Sequence, residues 1–185
     1  MKKIILLFCL SLMVLGSFAQ YENSPDSKSN KELKKEQKEA EEELTIKSVE
    51  RMVTNQEFYL EVTFMSNSQD RAMNEVSSQM NYLAIDAEKI ILQIEPNNVI
   101  TSNWFNDNLP QRGTVTNYKL TKPEKSTEGY HIQFQTFGEF ASDITMTVSL
   151  SGKTELIIRK PTNSETLTFR GTLIPLDQTR FSSFL

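Results

Sequence analysis

The most constraining feature of this chain is a run of strict period-two alternation in its second half. Ile144, Met146, Val148 and Leu150 alternate with Thr145, Thr147 and Ser149, and Leu156 and Ile158 repeat the pattern after Ser151-Gly152. Successive side chains on a strand point to opposite faces, so this is a hairpin with one apolar and one polar side. Gly152 can take the positive φ that a tight turn needs. Tyr130, Ile132 and Phe134 precede it in the same rhythm, and Leu167 and Phe169 follow. A helix of period 3.6 cannot be written through these segments.

The same reading extends upstream. Phe58, Leu60, Val62 and Phe64 alternate with Tyr59, Glu61, Thr63 and Met65, which predicts a strand with Phe58, Leu60, Val62 and Phe64 inward. Residues 66–81 are polar and read as a long loop, with a helical turn over Ala72 to Val76. Tyr82 to Ile85, a break at Asp86-Ala87, and Lys89 to Ile94 form a hairpin in which Ile90, Leu92 and Ile94 share a face. Val99 to Phe105 and Val115 to Leu120 add further strands, separated by the Asn106-to-Gly113 break. The sum is eight or nine short antiparallel strands in sequential order. Closure of such a meander removes its exposed edges. The expectation is therefore an all-β protein, a small closed barrel spanning residues 54–176, with a β-sandwich as the alternative.

Ahead of the strands the composition shifts to Lys and Glu. Residues 31–53 predict one charged helix, and Ile46, Val49 and Val53 form its narrow apolar face. Two heptads cannot sustain a coiled coil, so this face is expected to pack on the domain that follows. Residues 20–30 read as a flexible leader and residues 177–185 as a C-terminal tail.

The first 19 residues carry a targeting pattern. Lys2 and Lys3 precede a 12-residue apolar run, Ile4 to Leu15, and Ser17 and Ala19 supply the small residues that a signal peptidase reads. The run is short of the roughly 20 residues that span a bilayer. Cleavage after Ala19 leaves a mature chain that starts at Gln20. The single Cys, Cys9, is discarded with the leader, so the mature protein holds no disulfide. Cys9 lies mid-run rather than at the junction, so no lipid anchor is expected. The product is read as soluble, periplasmic or secreted, with no membrane span.

Composition narrows the chemistry. The 20 Lys+Arg against 24 Asp+Glu give a net charge of −4, which argues against nucleic acid as a partner. One Cys and one His leave no metal site and no Cys–His pair to build. His131 falls beside Gln133 and Gln135 on the polar side of its strand, so it faces solvent. A Ser-His-Asp arrangement would have to use Asp107 or Asp143, and no Gly-x-Ser-x-Gly turn exposes a nucleophile. Ser149 to Thr154 ends like a phosphate-binding loop, but its first Gly is replaced by Thr147 and it joins two strands instead of opening a helix. Asn106-Asp107-Asn108 lacks the distal acidic ligand of a calcium loop. Neither catalytic residues nor a cofactor is expected.

Trp104 and Phe105 are the candidate ligand-binding residues. Adjacent strand positions face opposite ways, so one of them belongs to the core and the other to the surface or a rim. Two functional classes lead: a barrel holding a small apolar ligand, and a structural or interaction protein of the bacterial cell envelope. An enzyme is the third and weakest.

Residues from about Thr45 to Leu176 resemble the domain of unknown function 4251 family, exported proteins known mainly from Bacteroidetes-type bacteria. The resemblance runs through Ser48 to Phe58, the Tyr82-to-Ile90 hairpin, Asp143 to Leu156 with its Ser151-Gly152 turn, and Leu167 to Leu173 around Gly171. Where other members often carry Leu-Pro-Tyr-Phe-Gly after the hairpin, this chain has Ile94-Glu95-Pro96 and, later, Trp104-Phe105. The resemblance implies export and a small lipocalin-like β-barrel, and it brings no catalytic residues with it.

Processing at Ala19 is checked by the intact mass of the native protein. A chain beginning at Gln20 without acyl groups is expected, and retention of residues 1–19 or an acyl increment would refute the reading.

Overall fold

The computed structural model describes residues 30–69, 71–95, 110–122, 129–162 and 165–179. The predicted strand over Val99 to Phe105 lies outside them. The chain divides into two units, residues 1–39 and 40–185. The described part of the first unit is exposed helix, with Lys35 and Glu39 paired at 3.7 Å. All further architecture belongs to the second unit.

Among the described residues one helix, α1 (Asn30–Asn55), precedes nine strands: β1 (Glu57–Asn67), β2 (Asn74–Glu75), β3 (Tyr82–Asp86), β4 (Lys89–Gln93), β5 (Gln111–Thr121), β6 (Tyr130–Gly138), β7 (Ser142–Val148), β8 (Lys153–Arg159) and β9 (Thr166–Ile174). A 3₁₀ turn, Leu176–Gln178, follows. Neighbours in the sheet run β2-β1-β3-β4-β5-β6-β7-β8-β9, all antiparallel, and β1 also pairs with β9. That pairing closes eight strands into a barrel, with β2 as an extra two-residue strand on the second half of β1. The barrel forms, and the sandwich does not. Among the described residues no helix is long and apolar enough to cross a membrane.

The interior follows the predicted alternation closely. Phe58, Leu60, Leu92, Ile132, Phe134, Met146, Val148, Leu156, Ile158 and Phe169 all face inward, each at most 2% exposed. Phe64 is the exception, at 42% exposed. The register against β9 slips between Val62 and Phe64, which pair with the adjacent residues Gly171 and Arg170. Thr63 is thus the extra residue of a bulge, and every later side chain of β1 changes face. Met65 enters the core in place of Phe64.

Opposite this bulge, β9 and β1 approach so closely that a Cβ on Gly171 would overlap the Glu61 carbonyl oxygen. Only glycine fits there. The strand runs on through Gly171 to Ile174.

Helix α1 meets the barrel through Val49, Met52 and Val53, spaced i, i+3, i+4 and buried in the same cluster as the strand interior. Ile46 does not join them; at 36% exposed it lies one turn ahead of Val49, the first buried residue, and Met52 completes the buried face instead. Gln56, in the left-handed region at φ 59°, ends the helix. Tyr118 on β5 donates its hydroxyl to the Val53 carbonyl at 2.7 Å, satisfying one of the helix's last unpaired acceptors. Lys122, at the end of β5, reaches Glu50 at 2.6 Å. Gly152, in the β7–β8 turn at φ 81°, sits beside Val49: a Cβ there would stand 3.6 Å from that side chain, an ordinary contact, and 3.2 Å from the Leu173 carbonyl oxygen. The last turns of the helix therefore lie over the end of the barrel where these strands turn.

The segment between β1 and β3 contains β2 instead of the predicted helical turn at Ala72 to Val76. It is held by Asn81, which is fully buried and fully used. Its amide donates to the Ser77 carbonyl at 2.8 Å, its side-chain oxygen accepts from Glu95 N–H at 2.9 Å, and its carbonyl accepts from Val62 N–H at 3.1 Å. A second apolar cluster, Tyr59, Tyr82, Ala84 and Ile91, sits on the outer side of β1, β3 and β4, with Ile174 and Leu176 packed against it. These strands are buried on both faces, so strict alternation fails there.

Two outcomes follow. Gly171→Ala should lower stability at the upper end of the about 1–3 kcal/mol typical of overpacking, measured by urea unfolding; unchanged unfolding would refute the close approach. Burial pushes the Tyr118 hydroxyl well above its ordinary value of 10.0, and Tyr82 and Tyr130 are raised by the same cause. Because the unfolded chain releases these protons first, the stabilisation is complete below pH 10 and declines as pH rises above it. Tyr118→Phe should cost about 1–2 kcal/mol at neutral pH and flatten the alkaline decline, so the gap to wild type should narrow above pH 10. A gap independent of pH would show that Tyr118 titrates normally.

Candidate functional site

Among the described residues, the sequence-predicted positions are not brought together. Trp104 and Phe105 lie outside the described residues, as do Asn106, Asp107 and Asn108. His131 faces outward on β6, with its Nε2 3.4 Å from the Gln133 amide nitrogen. Asp143 is on β7, opposite Gln135, whereas His131 pairs with Thr147. Four residues along a strand is about 13 Å, so the two do not form a dyad. Ser149 to Thr154 is a hairpin turn: Gly152 N–H donates to the Ser149 carbonyl, and the Ser149 and Ser151 hydroxyls lie 3.0 Å apart. Among the described residues no three His, Cys, Asp or Glu side chains gather to hold a metal.

Among the described residues, two concavities open to solvent stand out. One, of about 170 Å³, lies where β1 and β9 meet the 3₁₀ turn, lined by Tyr59, Glu61, Ser78, Gln79 and Ile174. The other is larger, about 480 Å³, and runs over the outer face of β5, β6 and β7. Its floor is the strand backbone around Phe134 and Ile144, whose side chains point into the barrel. Its polar lining comes from Asn117, Lys119, Gln133, Gln135, Asp143 and Thr145.

A backbone irregularity builds this groove. Along β5 the register against β6 slips between Thr116 and Lys119, and Asn117 takes φ 54°. Asn is among the few residues that tolerate this region. From Val115, which is buried, uninterrupted alternation would send Asn117 and Lys119 inward. The bulge instead turns Tyr118 and Leu120 toward the core and puts Asn117 and Lys119 outside. Asn117 then donates its amide to Gln135 Oε1 at 2.7 Å, and Gln135 donates to Asp143 Oδ1 at 2.9 Å. One hydrogen-bonded line crosses three strands.

Sequence reading placed His131, Gln133 and Gln135 on the polar face but did not join them to Asn117. The available signal was Asn117 itself, a residue disfavoured in strands and tolerant of left-handed backbone, inside an otherwise regular run.

No curated protein matches this chain. A crystal structure of a DUF4251 family protein from Bacteroides eggerthii is similar to it, with a TM-score of 0.59 and 20% sequence identity. The match covers 74% of this chain and 91% of that one, and it speaks to the shared fold. The model of the family described as domain of unknown function DUF4251 matches residues 37–173, and the chain belongs to that family.

Proposed function

We propose that the protein is an exported, non-enzymatic barrel of the cell envelope or its surroundings, which keeps its interior for its own side chains and works through its outer surface. The observation that carries this is the filling of the barrel. Phe58, Phe169, Met65, Met146, Leu60 and Leu92 are among its largest side chains and have at most 1% exposure, and α1 lies over one end. An eight-stranded barrel is just wide enough for side chains to fill it or for one small ligand to occupy it. A lipocalin-like carrier of apolar molecules would need smaller residues at these positions. Both concavities instead face outward, and the larger is lined by polar groups.

Export rests on the Lys2-to-Ala19 leader, which predicts a periplasmic or secreted product without a lipid anchor. The non-enzymatic reading is supported by the separation of His131 from Asp143. A net charge of −4 makes nucleic acid an unfavourable partner.

The test compares wild type with Phe169→Ala, which excavates an apolar hole. Benzene is expected to raise the melting temperature of the variant and to leave wild type unchanged, as dry engineered cavities bind such molecules. Met146→Ala serves if Phe169→Ala does not fold. Saturable binding of benzene or of N-phenyl-1-naphthylamine to wild type would overturn the filled-interior reading and restore the apolar carrier.

A further inference from the structure

We infer that the groove on the outer face of β5, β6 and β7 binds an uncharged saccharide. This rests on the reading that the outer surface does the work, and it names the ligand class of that site.

The groove's chemistry selects by exclusion and by fit. Its charges are one Lys119 and one Asp143, so it offers no basic excess for a phosphate or sulfate, which arginine and lysine clusters recognise. A single carboxylate cannot replace the hydration shell of a hard cation. An extended peptide added by main-chain pairing needs a free strand edge. Here β6 is paired with β5 and β7, and β7 with β6 and β8, so the strands carrying Gln133, Gln135, Asp143 and Thr145 have no free edge; β5 is paired with β4 over Gln111–Thr114, and its edge beyond Thr114 lies on the side opposite β6. A ligand in this groove must therefore be held by side chains.

Those side chains suit hydroxyl groups. A carboxamide offers donors and acceptors side by side, and a hydroxyl is both at once. The Asn117–Gln135–Asp143 line fixes the amides' orientation, because Gln135 must turn its oxygen to Asn117 and its nitrogen to Asp143. Each group keeps capacity after these bonds are made: the Asn117 oxygen, the second Gln135 N–H and the second Asp143 oxygen. Gln133 and Thr145, opposite each other on β6 and β7, add a second row. Neighbouring strands are about 4.8 Å apart, so donors and acceptors repeat at close spacing over an oriented surface. A volume of about 480 Å³ lies in the range of small-molecule sites, but its lining is polar where drug-like pockets are apolar.

An apolar platform completes the arrangement. Phe137 is 57% exposed and stands on the same outward row of β6, two residues beyond Gln135. A sugar ring is amphipathic, with C–H groups on its faces and hydroxyls around its edge. It can lie over Phe137 while its edge meets the amides. Phe137 contributes nothing to the barrel interior, and this contact gives it a use.

The experiment is a screen of the mature protein on an array of neutral glycans, followed by ¹H–¹⁵N NMR titration with the oligosaccharide that binds. Expected are saturable shifts confined to residues 117–119, 133–137 and 143–145, with sulfated and phosphorylated glycans binding no better. Asn117→Gly keeps the left-handed backbone and removes the amide. That variant and Gln135→Ala should each weaken binding about tenfold, the loss of roughly one hydrogen bond's worth of affinity. Phe137→Ala should weaken it similarly, and Lys153→Ala, at the exposed start of β8, should not change it. Binding unaltered by these groove variants, a preference for anionic glycans, or no binding across the array would each overturn the proposal. An array without binding but also without benzene uptake refutes only the saccharide; an array without binding with saturable benzene uptake by wild type refutes the surface reading as well.

Discussion

Everything in this protein hangs on the seam between β1 and β9. Each apolar strand face has value only if it is turned toward the others, and an open sheet of this order would leave two unpaired edges. The seam removes both. It runs from Tyr59 paired with Ile174 to Asn67 paired with Leu167, and it accommodates one extra residue at Thr63 by placing glycine at position 171. Any side chain at 171 meets backbone, which cannot rotate away as a side chain can. The curvature of the barrel and the choice of Met65 over Phe64 for its core are set at the same spot.

Filling the interior decides where function can reside. The strands contribute large inward residues, and Val49, Met52 and Val53 of the helix join the same cluster. Tyr118 and Lys122 then tie the helix to β5 through a hydrogen bond and an ion pair. The exposed Lys122–Glu50 pair is worth little by itself. The phenol bond matters more, because it satisfies a carbonyl that the end of the helix leaves open. What such a barrel can vary without losing its core is its outer face, where Asn117, Gln133, Gln135 and Asp143 are displayed.

The sequence carried the barrel because most strands obey alternation, and alternation is local. Ile144 to Leu156 could be assigned by inspection, as could the Ser151-Gly152 turn. The two bulges were not legible in the same way. A bulge at Thr63 or Asn117 answers a mismatch with a strand far off in the chain, and period-two counting carries straight through it. Counting by twos therefore sends Phe64 inward and carries no trace of the polar groove that Asn117 assembles. The outer cluster of Tyr59, Tyr82, Ala84 and Ile91 was hidden for another reason: its cover, Ile174 and Leu176, is more than 80 residues away from the strands it protects. Trp104 and Phe105, the aromatic pair that the sequence singles out, lie outside the described residues; among those described, Phe137 is the exposed aromatic on the outward row of β6.

The seam also sets the order in which the protein can be made. A chain delivered from its N-terminus presents β1 first, but the partner that protects its length is the last strand to arrive. Until then the hairpins can form locally while the ring stays open, with an apolar interior accessible and two edges ready to pair with other chains. Contacts of such long sequence separation are slow to close. Folding is therefore completed only after release of residue 174, a timetable compatible with a polypeptide carried across a membrane before it folds.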